Sequence, residues 1–198
     1  LKSLSIELAI CMVKKNPMDI ILQKATELGV SKITPIISER TEIKELNHDR
    51  AKKIVIESTE QSNQMIPPEI LEVTKLKYFL ENLNKNTKLL FADVNSKNNL
   101  RSDDINGYES LCILIGPEGD FSPLERELIL SVPKVTPFTM SKNILRTETA
   151  TISSPNFDLL GPFCTRPTSS RTEPAKFLVK NGVPVRHSSL VPVRFFVA

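Results

Sequence analysis

Cysteine is scarce in this chain. Cys11, Cys112 and Cys164 are an odd number with no CxxC spacing, which argues against a disulfide framework or a zinc site and for reduced thiols in a cytoplasmic protein. Histidine is scarcer still. His48 reads as a surface residue at a helix start, His187 lies near the end of the chain, and no His/Cys/Asp cluster has ligand spacing, so no metal is expected. No apolar run approaches the ~20 residues that span a bilayer, so no membrane partner is expected. The opening Leu1–Val13 contains Glu7 and lacks a signal-peptide layout. It also starts without methionine and runs straight into a strand-like segment, which suggests residues upstream. Charge of one sign is missing too. The net charge is +3, but residues 155–198 hold six of the 26 Lys+Arg and two of the 23 Asp+Glu, a net of +4. Residues 1–154 are left with 20 basic and 21 acidic residues, a net of −1, so nucleic-acid binding there needs a local patch.

What is present is an alternation of helices and strands over residues 1–154. Asn16-Pro17-Met18-Asp19 supplies an N-cap, a proline at the first helical position and an acid. Met18, Ile21, Leu22, Ala25 and Leu28 share one helix face, and Gly29 stops that helix. Lys32–Ile37 reads as a strand. A helix is expected over about 49–63 with Ala51, Ile54, Val55 and Ser58 inward. Glu69–Val73 reads as a short strand, and Thr74 as the cap of a helix through Leu83. Lys88–Ala92 and Leu111–Ile115 are apolar strands. Ser122-Pro123-Leu124-Glu125 is a capping box with proline at the first helical position, its helix ending near Ser131. Lys134–Thr139 makes a further strand, and a last helix is expected near Ile144. Such alternation predicts an α/β fold, a parallel sheet with helices on both faces.

Residues 155–198 break the pattern. Pro155, Pro162, Pro167, Pro174, Pro184 and Pro192 fall there, and Val-Pro-Val-Arg occurs at 183–186 and 191–194. The last helix must end by Ser154, because a proline inside a helix costs about 3 kcal/mol. The tail reads as mostly irregular.

Two segments carry the chemistry. Ile115-Gly116-Pro117-Glu118-Gly119-Asp120-Phe121 follows an apolar strand and precedes a helix start, the layout that brings backbone N–H groups to a small polar ligand. Asn143-Ile144-Leu145-Arg146-Thr147-Glu148-Thr149-Ala150 packs an arginine, two threonines and a glutamate behind apolar residues. Ligands of parallel sheets bind at the carboxyl ends of strands, so two such loops on neighbouring strands would form one pocket. Glycines shaping a tight connection and Glu148 accepting from loop N–H groups are the plainer readings of the same residues.

These segments, with Gln23-Lys24-Ala25-Thr26-Glu27-Leu28-Gly29-Val30, Ser38-Glu39-Arg40 and Glu60-Gln61-Ser62, make residues 1–154 resemble the catalytic domain of the RsmE family. Those proteins are 16S rRNA (uracil-N3) methyltransferases of the SPOUT superfamily. The resemblance implies a SPOUT-type parallel sheet with a C-terminal trefoil knot, a homodimer in the cytoplasm, and S-adenosylmethionine as cofactor. The implied substrate is 16S ribosomal RNA in the small ribosomal subunit. Cofactor contacts are implied at Phe91, Ala92, Ile115, Gly116, Pro117, Glu118, Gly119, Met140, Ile144, Leu145 and Thr147. Arg146 would bind a phosphate or stabilise charge on the uracil oxygens, and Glu118 or Glu148 would take the N3 proton. Lys24 and Arg40 are expected to contact RNA, Glu27 and Arg40 alternatively forming a stabilising polar pair.

The family pattern is not matched everywhere. Asp120 stands where a second glycine is common, which a negative φ would tolerate. Ser141 and Asn143 replace a common glycine and arginine. These residues show no counterpart of the family's N-terminal PUA-like RNA-binding domain, and Pro155 interrupts the family's last helix. A catalytically silent relative that only dimerises or binds RNA weakly is therefore the second expectation. A Rossmann-type nucleotide-binding domain is a third, weakened by the lack of a G-x-G-x-x-G after an early strand.

Overall fold

The computed structural model describes residues 4–100, 104–105, 107–140 and 145–154. The elements are β1 (Ser5–Cys11), α1 (Lys15–Glu27), β2 (Lys32–Ile37), α2 (His48–Gln61), β3 (Glu69–Ile70), β4 (Thr74–Lys75), α3 (Leu76–Glu81), β5 (Thr87–Ala92), β6 (Ser110–Ile115), α4 (Pro123–Leu130), β7 (Val135–Phe138) and α5 (Thr147–Ser153). The strands form one seven-stranded sheet in the order β3-β2-β1-β6-β5-β7, with β4 also on β2. Every pairing is parallel.

Alternate residues of the central strands feed two cores, which is why those strands read as continuous apolar runs. Leu8 and Ile10 of β1, Leu90 of β5, and Leu111, Ile113 and Ile115 of β6 pack with Met18, Ile21, Leu22 and Ala25 of α1, Ala51 and Val55 of α2, and Ala150 of α5. On the other face Ala9, Cys11, Leu89, Phe91, Cys112 and Leu114 pack with Leu76 and Leu80 of α3 and Ile129 of α4. Helices thus cover both faces of the sheet.

The departures from the sequence pattern are local. α1 begins at Lys15 with Lys14 as its N-cap, so Asn16 and Pro17 lie inside the first turn. Pro17 is harmless there because first-turn N–H groups have no intrahelical acceptor; the first bond runs from Met18 N–H to Lys14 O, 3.0 Å. Gly29, at φ +82°, ends the helix, and Leu28 is half-buried. The expected strand 69–73 is shorter and is followed by a second, separate one. Thr74 pairs with Ile36 on the edge of β2 instead of capping α3, whose N-cap is Lys75 and which ends at Glu81. α5 starts at Thr147, later than expected, with Arg146 as its N-cap residue. The proline-rich tail, with Cys164 and His187, lies outside the described residues.

Candidate functional site

The carboxyl end of β6 leads into a turn whose shape its own side chains impose. Ser122 Oγ accepts the Glu125 N–H at 3.3 Å and Glu125 Oε2 accepts the Ser122 N–H at 3.1 Å, the capping box read from the sequence. Phe121 is buried edge-on against Phe91, ring centroids 5.7 Å apart. Its ring lies so close to Gly116 that a Cβ there would sit 3.0 Å from Phe121 Cε2, so a larger residue would have to push the ring back by a few tenths of an ångström. The turn closes with Asp120 N–H donating to Pro117 O, 3.0 Å. Asp120 has φ +59°, not the negative φ its substitution for glycine would favour. Its Oδ1 compensates by accepting the Phe121 N–H at 2.8 Å, the local bond that lets Asp enter this region.

The second motif reaches the first by an unexpected route. β7 is not a neighbour of β6, because β5 lies between them. Yet α5 packs against α1 and β6, and Thr147 Oγ1 donates to Gly116 O at 3.4 Å, 31 residues away in sequence. α5, which follows β7 in sequence, thus stands against β6 although β5 separates the two strands. This return, rather than strand adjacency, joins the two motifs.

Around that junction the expected residues separate. Ile115, Pro117 and Thr147 are buried, Gly116, Ala92, Met140 and Leu145 half-buried, and Gly119 exposed. Phe91 is fully buried, its ring packed edge-on against Phe121 in the core. Ile144 lies outside the described residues, as do Ser141 and Asn143. Arg146 and Glu118 present exposed side chains. Glu148 differs: its Oε2 is buried without a hydrogen-bond partner. A buried carboxylate oxygen without a donor is costly, so this position suits a donor from a ligand.

Lys24 and Arg40 are not brought together. Lys24 Nζ grips Glu27 at 2.8 and 2.9 Å near the end of α1, at the amino ends of the strands. Arg40 follows the carboxyl end of β2 and donates through Nη1 to Gly119 O, 2.7 Å. The alternative Glu27–Arg40 pair is thereby excluded, each residue having another partner.

Two features escaped the sequence reading. Asp93, directly after β5, is buried and takes Arg126 of α4 at 2.7 Å through Nη2 and 3.2 Å through Nε; Asp-Val after an apolar strand is the slight signal it leaves. Glu125 of the capping box also accepts the Glu39 N–H at 2.8 Å. The thiols are inert core groups: burial pushes Cys11 up to about 12, a Ser38 hydrogen bond opposing it, and burial likewise raises Cys112. Among the described residues no group of three His, Cys, Asp or Glu could hold a metal ion, and no helix is long and apolar enough to cross a membrane.

Residues 1–155 match the family model of the RNA methyltransferase domain. The chain belongs to that family. This RNA methyltransferase domain is 32% identical over 164 residues to the ribosomal RNA small subunit methyltransferase E of Rickettsia conorii, covering 81% of this chain and 66% of that protein. The protein of the same name from Aquifex aeolicus is 36% identical over 141 residues, 69% of this chain and 59% of its own length. Among solved structures, ribosomal RNA small subunit methyltransferase E from Neisseria gonorrhoeae bound to S-adenosyl methionine superposes with a TM-score of 0.71 at 30% identity, covering 77% of this chain and 64% of that one. The RNA methyltransferase domain thus spans less than two thirds of these relatives' length.

Proposed function

We propose that the chain methylates N3 of a uridine in 16S ribosomal RNA, in the cytoplasm, using S-adenosylmethionine held where the β6 turn meets the start of α5. The observation that carries this reading is the Thr147–Gly116 contact, the next residue in sequence, Glu148, holding a buried oxygen without a partner. The names of the relatives support the substrate class, and the cofactor of the Neisseria structure supports the ligand. The return of α5 past β5 supports a trefoil-knotted SPOUT topology, and the family resemblance supports a homodimer.

The residues fit such a cofactor. Backbone groups of Ile115, Gly116, Pro117 and Gly119 would hold its adenosine part, Met140 and Leu145 would supply apolar contact, and Thr147 would fix the turn. When bound, the cofactor supplies a sulfonium methyl group for in-line displacement, in which positioning provides much of the acceleration. Uracil N3 is protonated at neutral pH, so a base is needed. We assign that role to Glu148, whose buried oxygen lacks a donor, rather than to the exposed Glu118. Arg146, exposed at the mouth, would hold an RNA phosphate or stabilise charge on the uracil oxygens. The target base must be flipped out or unpaired to enter.

The test is transfer of a labelled methyl group from S-adenosylmethionine to small ribosomal subunits, followed by nucleoside analysis. Labelled N3-methyluridine is expected, with kcat reduced roughly 100-fold in Glu148→Gln. No transfer by a folded, cofactor-binding chain would mean a catalytically silent relative.

A further inference from the structure

We infer that Arg40 is a positioning residue for the cofactor turn, holding the Gly119–Asp120 peptide in its strained orientation. The inference rests on the cofactor reading above and goes beyond it by removing Arg40 from the RNA contacts.

The base of Arg40 is rigid. Ser38 and Thr41 are both buried; Ser38 N–H donates to Thr41 Oγ1 at 3.0 Å, the two hydroxyls lie 2.8 Å apart, and Thr41 N–H donates to Ser38 O at 3.2 Å. Between them, Glu39 N–H is tied to Glu125 Oε1. From this platform the guanidinium reaches Gly119 O at 2.7 Å, the length of a charge-assisted bond. The aliphatic stem lies alongside, since a Cβ at Gly119 would stand 3.8 Å from Arg40 Cδ.

The carbonyl that Arg40 holds belongs to the same peptide unit as the Asp120 N–H. Rotating that unit would carry the φ of Asp120 out of the left-handed region, where it now stands at +59°, and Gly119 can absorb the matching change in ψ. The rotation would relieve strain at Asp120. It would also turn the Asp120 N–H away from Pro117 O and the Gly119 carbonyl away from its present direction. Arg40 opposes this by bonding the carbonyl oxygen itself. Its effect on the cofactor therefore passes through one peptide plane.

This makes Asp120→Gly a specific suppressor, because glycine carries no penalty at φ +59° and removes the drive to rotate. In titrations of S-adenosylmethionine into the full 198-residue chain, Arg40→Ala is expected to weaken binding about fivefold. Arg40→Ala combined with Asp120→Gly should recover most of that loss, and the KM for RNA should stay near that of the parent chain. Unchanged cofactor affinity with a raised RNA KM would overturn the inference in favour of an RNA contact, as would failure of Asp120→Gly to rescue. If the parent chain binds no S-adenosylmethionine, the functional reading fails, and amide exchange of the ligand-free chain still decides on Arg40. The position-120 amide should exchange faster in Arg40→Ala and return toward the parent rate in the double variant. Equal exchange in parent and Arg40→Ala would refute the positioning role.

Discussion

Asp93 and Arg126 form a forked ion pair, 2.7 Å at its shortest, between the end of β5 and the exposed side of α4. The Asp93 side chain is 1% exposed and that of Arg126 36%. Asp93 also accepts the Asn95 N–H at 2.9 Å, and its own N–H donates to Phe138 O at 3.0 Å. One buried residue thus ties the end of β5 to β7 through its backbone N–H and to the helix that follows the β6 turn through its side chain.

Removing only the cation strands the anion. Arg126→Ala should therefore cost about 2–3 kcal/mol, somewhat less than for a fully buried pair because the guanidinium is partly exposed. Urea unfolding measures it. Adding Asp93→Asn should recover part of the loss, since an amide tolerates burial without a cation better than a carboxylate does.

The two glycines of the turn should respond in opposite ways. At Gly116 an added Cβ meets the Phe121 ring at 3.0 and 3.2 Å, and that ring is wedged against Phe91. Gly116→Ala should lose about 1–3 kcal/mol, the usual cost of overpacking. At Gly119 the same atom meets Arg40 at 3.8 Å, an ordinary contact, so Gly119→Ala should stay within about 0.5 kcal/mol of the parent. Thermal melts of the two variants side by side check the contrast.

The sequence pattern was most readable where one side chain served one element. The capping box of Ser122 and Glu125, the stop at Gly29 and the β2 boundaries all rest on local chemistry, and the structure keeps them. It was least readable where a residue served two elements. Thr74 reads as a cap from its neighbours, but the edge of β2 claims its backbone. Arg40 reads as an RNA contact or a partner of Glu27 until the fold brings Gly119 O to it, and Asp93 finds Arg126 33 residues on. The crossing that joins Thr147 to Gly116 has no local signature, because strand order is decided by tertiary packing.

The buried thiols give stability a pH dependence at the alkaline side. Burial raises both Cys11 and Cys112 above the usual thiol range. Below about pH 8.5 folded and unfolded chains alike keep these protons; above it only the unfolded chain releases them, so stability falls as pH rises toward the folded values. The slope should approach about 1.4 kcal/mol per pH unit for each thiol. Urea unfolding from pH 8 to 10 tests this, with a shallower slope expected for the Cys11→Ala, Cys112→Ala double variant.

The central claim is that the two motif loops make one cofactor site where Thr147 meets Gly116. Calorimetric titration of S-adenosylmethionine into the 198-residue chain, with NAD as control, tests it most directly. The account requires saturable binding of one S-adenosylmethionine per chain, none of NAD, and weaker binding in Thr147→Val. A folded chain that binds no S-adenosylmethionine, or binds NAD in its place, would contradict it.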